Sequence, residues 1–340
     1  MRWELSDEQA MLRETLRSWL SDRAGPSEMR KLLDAGDVTP FEDALDTAGW
    51  SGVGIAEEYG GEGGGLLELA VLAEEFGRAV APDSAWLSAA LIPGVAPGER
   101  ACLAVAADHV IGGDLRSDGE TVTGQVVAAA GADRARTFIV PAGGRLYAVD
   151  APDPGVNVQP RRLLDRSRSA ADVTFSAAQA RQLEVDAGEA LAAAALRSAV
   201  LVAADALGAM ERLLELSVEY SKQRRQFGVP IGSFQAVKHA AADMLVKVEA
   251  ARSIVYFAAA AVDQGHPDAA VHAAVAKAQV TAAAAQAADT ALTVHGAIGY
   301  TWEHDLHLLY KRAKLDERLF GSPHAWNERI AAALPLVTTP

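Results

Sequence analysis

The chain has 340 residues, half of them hydrophobic, which is too long for one simple core and predicts a multi-domain globular protein. Its formal net charge of -14 disfavours nucleic acid and anionic membrane surfaces as partners. Cys102 is the only cysteine, which excludes an internal disulfide and any multi-cysteine metal site built by this chain alone.

The N-terminal region is predicted to be helical. Residues 5–9 (LSDEQ) place Ser6 three residues before Gln9, which is the pattern of a capping box, and apolar residues then recur at helical spacing. Helical character returns at 66–78 and 82–91, after the glycine-rich residues 59–65 (YGGEGGG). We interpret that run as a turn, because it lacks the Lys-Ser or Lys-Thr of a phosphate loop. Residues 1–98 form the predicted N-terminal helical domain.

The pattern changes twice after residue 98. Residues 99–186 contain short β-prone runs, such as 137–140 (TFIV) and 172–175 (DVTF), and predict a small antiparallel β domain. Residues 187–340 are rich in alanine, with breaks near Gly228, Gly265 and Gly296, and predict a four-helix bundle. The predicted fold class is therefore α+β, and no strand, glycine loop and helix follow one another as in a dinucleotide-binding fold.

Localisation follows from two negative features. The alternating charges of residues 1–7 do not resemble a signal peptide, and the uninterrupted apolar tracts are shorter than the roughly 20 residues of a membrane span. We expect a cytoplasmic protein that does not cross a membrane.

One long motif resembles a known family. Residues 220–231 (YSKQRRQFGVPI), followed by 234–237 (FQAV), are similar to the acyl-CoA dehydrogenase motif in which Arg-x-Gln-Phe-Gly precedes a Phe-Gln helix start. Residues 5–9, 49–61, 74–78 (EEFGR) and 294–300 (VHGAIGY) agree with the family in order and spacing. The resemblance covers nearly the whole chain and implies the acyl-CoA dehydrogenase fold, FAD as cofactor and an acyl-CoA substrate.

The resemblance also implies a role for two segments. In the family, the segment here at 224–235 and the loop at 293–297 cross a dimer interface to the FAD of a neighbouring subunit. Arginine can bind a pyrophosphate through two parallel charge-assisted hydrogen bonds, and a glycine lets the backbone approach a ligand. The residues predicted to contact FAD are Arg224, Gln226, Phe227, Gln235, Thr293, Gly296 and Ala297.

The catalytic glutamate of the family has no counterpart in this sequence. Alignment from Gly299 onward places Phe320 at its usual position, and Ser198 occupies the alternative position on the first long helix of the bundle. Phenylalanine cannot ionise, and an unassisted serine is too weak a base at neutral pH. Asp316 and Glu317 are the alternative bases, although the simpler interpretation is a solvent-facing pairing with Lys314 and Arg318.

The β domain departs from the family as well. Members usually carry Thr-Glu-Pro and Gly-Ser-Asp runs and a Trp-Ile-Thr or Trp-Ile-Ser strand beside the flavin. The corresponding residues here are 103–108 (LAVAAD), 112–114 (GGD) and 126–133 (VVAAAGAD). Since none of these is Ser, Thr or Trp, we expect that this chain provides no ordinary bed for a flavin ring.

These features predict a non-catalytic subunit that completes the FAD site of a homologous partner. The partner would carry the glutamate in an α2β2 assembly, and the resemblance is closest to actinobacterial enzymes of steroid side-chain degradation. An electron-transfer flavoprotein is the implied electron acceptor. Two alternatives remain: a homomeric dehydrogenase with an unrecognised base, and a scaffold or binding protein of the same fold.

No metal site is predicted. His304, Asp305 and His307 are close in sequence, but a metal site needs converging ligands, which spacing alone does not supply. We interpret His295 as a residue that fixes the backbone or an interface.

Overall fold

The N-terminal region consists of helices wrapped around a shared apolar core. The computed structural model describes residues 5–93, 95, 100–112 and 115–334. The Ser6 hydroxyl accepts a hydrogen bond from the Gln9 N–H, and the Gln9 side chain accepts one from the Ser6 N–H, so the predicted capping box starts the first helix. The helices are α1 Asp7–Arg23, α2 Pro26–Ala35, α3 Thr39–Thr47, α4 Leu66–Ala79 and α5 Ser84–Ala90.

The middle region contains two sheets within its described residues. One has the strand order β1-β4-β5-β8 and the other β2-β3-β7-β6. Phe138 and Phe175 meet edge to face between them, with ring centroids 5.7 Å apart. The strands are β1 Ala101–Leu103, β2 Arg116–Ser117, β3 Thr121–Ala130, β4 Thr137–Ala142, β5 Arg145–Asp150, β6 Val156–Pro160, β7 Ala170–Gln179 and β8 Arg181–Gln182.

The prediction of purely antiparallel strands needs one correction. Strand β1 pairs with β4 in parallel, with Cys102 opposite Phe138. A parallel pair needs a long crossover, and the chain between these strands is long enough because it contains β2 and β3. Cys102 itself is buried, as the sequence predicts for a small apolar residue, and burial raises the pKa of its thiol to about 12.

The C-terminal region is the predicted four-helix bundle. Its long helices are α6, α7, the continuous α8 to α9 segment and α10, and α11 packs against α8. The predicted breaks at Gly228, Gly265 and Gly296 all lie between helices. The elements are α6 Ala187–Gln223, β9 Arg225–Gln226, β10 Val229–Pro230, α7 Gln235–Asp263, α8 Ala269–Val275, the π-helical segment Ala276–Val280, α9 Thr281–His295, α10 Leu306–Asp316 and α11 Pro323–Ala333.

Helix α6 is the central element of the bundle. It is long and apolar enough to cross a membrane by length and composition, but 67% of its most apolar 18-residue window is buried inside the protein. Its surface is also matched to α4 at close range. A Cβ atom at Gly208 would lie 1.8 Å from the carbonyl oxygen of Glu74, so only glycine permits this approach. Helix α6 therefore serves as a core helix that fixes the N-terminal region onto the bundle.

A buried ionic network connects the three regions of the chain. Arg312 on α10 donates hydrogen bonds from Nε to Asp165 Oδ2 (3.0 Å) and from Nη1 to Asp205 Oδ2 (2.9 Å) and Asp83 Oδ1 (3.2 Å). Arg168 reaches Asp83 Oδ1 at 2.9 Å and Asp205 Oδ2 at 2.8 Å. These side chains are at most 2% exposed. The side chains of this network come from the N-terminal region, the middle region and the helices α6 and α10 of the C-terminal region. The network therefore holds these three regions together.

Asp316 belongs to this network, which corrects the prediction that it faces solvent. It follows Arg312 by one helical turn, lies on the same face of α10 and is fully buried, 3.7 Å from Arg168. Lys314, its predicted partner, instead pairs with Asp289 at 2.8 Å. Burial, and then the charge of Asp205, raise the pKa of Asp316 well above its usual value.

The raised pKa predicts a pH-dependent stability. The folded protein holds a proton on Asp316 that the unfolded chain releases, so its stabilising effect is present at low pH and is lost as the pH rises through the folded-state pKa. Asp316→Asn imitates the protonated group and should reduce this loss. Urea unfolding at several pH values tests the expectation, and parallel pH profiles for parent and variant would contradict it.

Candidate functional site

The two segments predicted to contact FAD lie at the same end of the bundle. Tyr220, in the last turn of α6, stacks on His295 at the end of α9 with ring centroids 4.6 Å apart. His304 meets His295 edge to face at 4.8 Å. The backbone N–H of Arg224 donates to the carbonyl oxygen of Tyr220 (2.8 Å), so Arg224 lies one helical turn after the tyrosine of this aromatic cluster. His295 therefore packs the end of α9 against α6, and its Nδ1 lies 2.8 Å from the Ala291 carbonyl oxygen.

A short hairpin projects from this end of the bundle. Strands β9 and β10 pair through Gln226 and Val229, and the two residues at the tip, Phe227 and Gly228, have φ angles of +54° and +83°. Left-handed backbone is unfavourable for phenylalanine. Phe227 is also 92% exposed, and its ring makes an edge-to-face contact with Phe234, with ring centroids 6.1 Å apart. This exposed aromatic surface can bind another molecule at little additional cost.

The cation at the base of the hairpin is also available. Among the described residues, the Arg224 guanidinium has no hydrogen bond or ion pair, whereas Arg225 donates to the carbonyl oxygen of Gly228 (3.0 Å). Gln226 is exposed and donates its amide to the Arg225 carbonyl oxygen (2.9 Å). Gln235 is exposed at the first residue of α7. The four predicted residues of this segment therefore share one open surface.

The loop at 293–297 exposes mainly backbone atoms to solvent. Gly296 has a φ of +61°, and no atom lies within 4 Å of the position that a Cβ would take there. Ala297 is exposed beside it. The Thr293 hydroxyl donates to the carbonyl oxygen of Asp289 (2.9 Å), so only its acceptor side faces outward. A ligand could approach this loop along the backbone of Gly296 and Ala297.

Comparison with known proteins places this geometry in a family. Residues 6–96 match the model of the acyl-CoA dehydrogenase N-terminal domain, and residues 187–334 match that of the C-terminal domain. The acyl-CoA dehydrogenase IpdE2 of Mycobacterium tuberculosis is 34% identical over 93% of this chain and 94% of its own length. The chain belongs to the acyl-CoA dehydrogenase family. It is therefore a member of a family of flavin-dependent oxidoreductases, and the predicted cofactor, FAD, is confirmed as that of the family.

Solved acyl-CoA dehydrogenase structures share the fold. The Tcur3481-Tcur3483 steroid acyl-CoA dehydrogenase, solved as a variant, is 27% identical with a TM-score of 0.85, over 96% of this chain and 97% of its own. The ChsE4-ChsE5 complex from Mycobacterium tuberculosis has a TM-score of 0.85 at 23% identity, over the full length of both chains. These similarities confirm the predicted acyl-CoA dehydrogenase fold.

The position predicted for the family's base is closed by the chain itself. Phe320 is 2% exposed with a φ of +54°, and its N–H donates to the Ala107 carbonyl oxygen at 2.6 Å. The Phe320 carbonyl oxygen accepts a hydrogen bond from Trp326 Nε1 (3.0 Å). A Cβ on Gly321 would lie 2.7 Å from a methyl group of Val110. Such direct contact between the 107–110 loop and the 320–321 turn leaves no space for an acyl chain between them.

A buried lysine that the sequence analysis did not single out holds the same turn. Lys277, in the π-helical segment, is fully buried and donates to the carbonyl oxygens of Asp316 (2.9 Å) and Gly321 (2.8 Å). Burial lowers its pKa to about 7. The sequence signal that could have identified it is a single lysine within the alanine-rich residues 269–285. A charged side chain in such a run is costly to bury unless it is paired or hydrogen-bonded.

Two of the three alternative base candidates, Ser198 and Asp316, are enclosed in the protein. Ser198 is fully buried on α6, and its hydroxyl donates to the carbonyl oxygen of Ala195 (2.8 Å). Asp316 is enclosed in the ionic network. Glu317 is half-buried next to it, and among the described residues no group donates a hydrogen bond to its carboxylate. A general base must reach its substrate proton directly or through one water, and neither Ser198 nor Asp316 lies at an accessible surface.

The β-domain stretches predicted to lack a flavin bed are engaged in internal contacts. The N–H of Ala128, whose φ is +54°, donates to Asp172 Oδ1 (2.8 Å), and Val126 is buried in the sheet core. The first stretch, residues 103–108, includes Ala107, whose carbonyl oxygen accepts a hydrogen bond from the Phe320 N–H. Residues 113 and 114 lie outside the described residues. The hairpin and the loop at 293–297, in contrast, expose Arg224, Phe227 and the backbone at Gly296.

Proposed function

We propose that this chain is the non-catalytic subunit of a heteromeric FAD-dependent acyl-CoA dehydrogenase. The observation that carries the proposal is that the residues expected to contact a cofactor are exposed, whereas the position of the family's base is closed. Arg224 and Phe227 are free for a cofactor held elsewhere, whereas the turn with Phe320 at the base position is closed by Ala107 and Val110. Residues Arg224, Gln226, Phe227, Gln235, Thr293, Gly296 and Ala297 would complete the FAD site of the partner.

The division of chemistry follows from these residues. Arg224 would bind the pyrophosphate of the cofactor, Phe227 would cover an apolar part of it, and Gly296 would admit its adenosine portion. Bound FAD would accept the substrate β-hydrogen as hydride. The partner subunit would supply the glutamate that removes the α-proton, because neither Phe320 nor Ser198 can do so.

The partner and substrate are proposed from the relatives. The Tcur3481-Tcur3483 protein is named a steroid acyl-CoA dehydrogenase, and the ChsE4-ChsE5 protein is named a complex. We propose an α2β2 assembly with a homologous chain that carries the glutamate, and a steroid side-chain acyl-CoA as substrate. An electron-transfer flavoprotein as acceptor and a cytoplasmic location complete the proposal.

Two alternatives have less support. A homomeric enzyme would require a base in this chain. Ser198 and Asp316 are buried, which leaves only the half-buried Glu317 among the candidates that the sequence offered. A pure scaffold would not require an unpaired Arg224 beside an exposed Phe227. The alternatives also differ in their flavin content, which makes the decisive experiment simple.

Co-expression with the homologous partner tests the proposal. Alone, the chain should be flavin-poor, unstable or aggregated, because the surfaces intended for the partner would expose apolar area. Co-expressed with the partner, it should elute as a heteromer that binds FAD and oxidises an acyl-CoA. A soluble homotetramer with one FAD per chain would overturn the proposal in favour of the homomeric enzyme. Flavin occupancy that does not depend on this subunit would favour the scaffold.

Phe320→Glu provides a second test within the heteromer. One carboxylate cannot create a site where the 107–110 loop already occupies the space, so the number of active sites in a substrate titration should not rise. The new carboxylate would also replace a buried ring and should lower stability. Glu317→Gln is the matched control for a change near the same turn, and a doubled active-site count would count against our assignment.

A further inference from the structure

The turn between α7 and α8 brings together three side chains of the kind that bind transition metals. Each of His266, Asp268 and His272 offers a ligand atom, and these atoms all lie within 4.8 Å of one another. Asp268 and His272 are one helical turn apart, with the His272 N–H bonded to the Asp268 carbonyl oxygen (3.0 Å). Their side chains therefore share a helix face, and His266 approaches from the preceding turn.

The donor atoms of this cluster are largely uncommitted. Asp268 stands at the N-cap of α8, yet its side chain makes no capping hydrogen bond. Within the described residues, neither its carboxylate nor the His272 ring has a hydrogen bond or an ion pair. His266 Nδ1 accepts one bond from the Asp268 N–H (3.1 Å). An aspartate at a helix N-cap usually caps, so its free carboxylate is available for another partner.

The neighbouring side chains position the imidazoles. The ring of His272 stands at 90° to the ring of Phe257 on α7, with centroids 4.7 Å apart, and lies 5.4 Å from the ring of His266. Both histidines are half-buried, whereas Asp268 is exposed. This arrangement leaves an open side toward solvent, through which an ion could enter and a water could complete its coordination.

We propose that His266, Asp268 and His272 bind a divalent transition metal ion, with Zn²⁺ the best fit. Two imidazoles and one carboxylate with a fourth position for water form a known zinc ligand set, whereas Mg²⁺ and Ca²⁺ require oxygen ligands. Tetrahedral bonds of about 2.1 Å place ligand atoms about 3.4 Å apart. Side-chain rotations in this partly exposed turn, which includes Gly265 with a φ of +61°, can close the remaining gap.

The bound ion would pin the end of α7 to α8. Helix α8 continues through the π-helical segment that carries Lys277, and it packs against α11. Metal binding at the turn between α7 and α8 should therefore stabilise α8, the π-helical segment and their packing against α11. A ligand that binds only the folded state raises the unfolding temperature by mass action.

The test uses untagged, full-length chain purified with its partner, after chelation and buffer exchange. Titration with Zn²⁺ should give about one site per chain that Mg²⁺ does not occupy, and Co²⁺ should give the visible absorption bands of a nitrogen- and oxygen-ligated ion. His272→Ala should weaken Zn²⁺ binding at least about tenfold and abolish the thermal shift. Asp268→Asn, which alters an exposed side chain, keeps the test decisive if His272→Ala folds poorly.

His239→Ala is the matched control, because His239 is exposed on α7 away from the turn and should leave zinc binding unchanged. Equal Zn²⁺ affinity in the parent and in both ligand variants would overturn the proposal, as would the absence of any Zn²⁺ site in the parent.

Discussion

Arg312→Met should cause the largest loss of stability of any single change considered for this protein. Arg312 is fully buried and donates five hydrogen bonds, to Asp83, Asp165, Asp205, Ser167 and the Ala81 carbonyl oxygen. Methionine fills similar space but removes one of the two arginines that neutralise the buried carboxylates. Breaking a buried pair in this way costs about 3–5 kcal/mol, so we expect low soluble yield and a marked fall in the unfolding midpoint.

The measurement is urea unfolding of the co-purified assembly, followed by circular dichroism. Arg318→Met is the matched control, since Arg318 is exposed on the same stretch of chain, and it should change the unfolding midpoint little. Asp165→Asn added to Arg312→Met should recover part of the loss, because the only ion pair of Asp165 among the described residues is with Arg312. A variant with the parent's midpoint would show that the network does not hold the regions together.

The sequence predicted the parts of the fold that depend on local patterns. Ser6 and Gln9 form the expected capping box, and the glycines at 228, 265 and 296 separate the helices as expected. The segment 224–235 was identified by a long motif, and its residues lie together on an open surface because they follow one another along a hairpin and a helix start.

The errors concern residues whose environment is set by distant parts of the chain. Charged residues are normally exposed, so Asp316 was expected at the surface, but it is buried 3.7 Å from Arg168, which comes from the middle region of the chain. Lys277 escaped notice because its partners, the carbonyl groups of the 316–321 turn, are about forty residues away. Neither contact has a periodic signature that a sequence could display.

The proposed metal site also differs from the histidine group that the sequence brought to notice at His304. The sequence places His304, Asp305 and His307 close together, but Arg30 occupies the Asp305 carboxylate at 2.6 Å and His304 packs against His295. His266 lies in the turn between α7 and α8 and His272 lies on α8, and the path of that turn brings the two side chains together. Spacing alone cannot distinguish these cases, because convergence depends on the turn.

Arg224→Ala should weaken FAD binding to the heteromer by about one to two orders of magnitude. The guanidinium is exposed and unpaired within the described chain, so its removal leaves no internal partner behind and should not affect folding. Hydrogen bonds to charged groups contribute roughly 1.5–3 kcal/mol, which corresponds to this loss of affinity. Arg224→Lys should recover only part of it, because an ammonium group cannot form the two parallel bonds of a guanidinium.

The experiment separates cofactor binding from catalysis. The co-expressed pair is checked by gel filtration, stripped of flavin and titrated with FAD, and turnover is measured per bound flavin. Turnover should change much less than occupancy, because Arg224 would contact the pyrophosphate and not the reacting carbons. Arg225→Ala is the matched control, since that side chain already bonds to Gly228 in its own hairpin. If Arg224→Ala assembles normally and binds FAD as tightly as the parent, this chain does not complete the partner's cofactor site through Arg224.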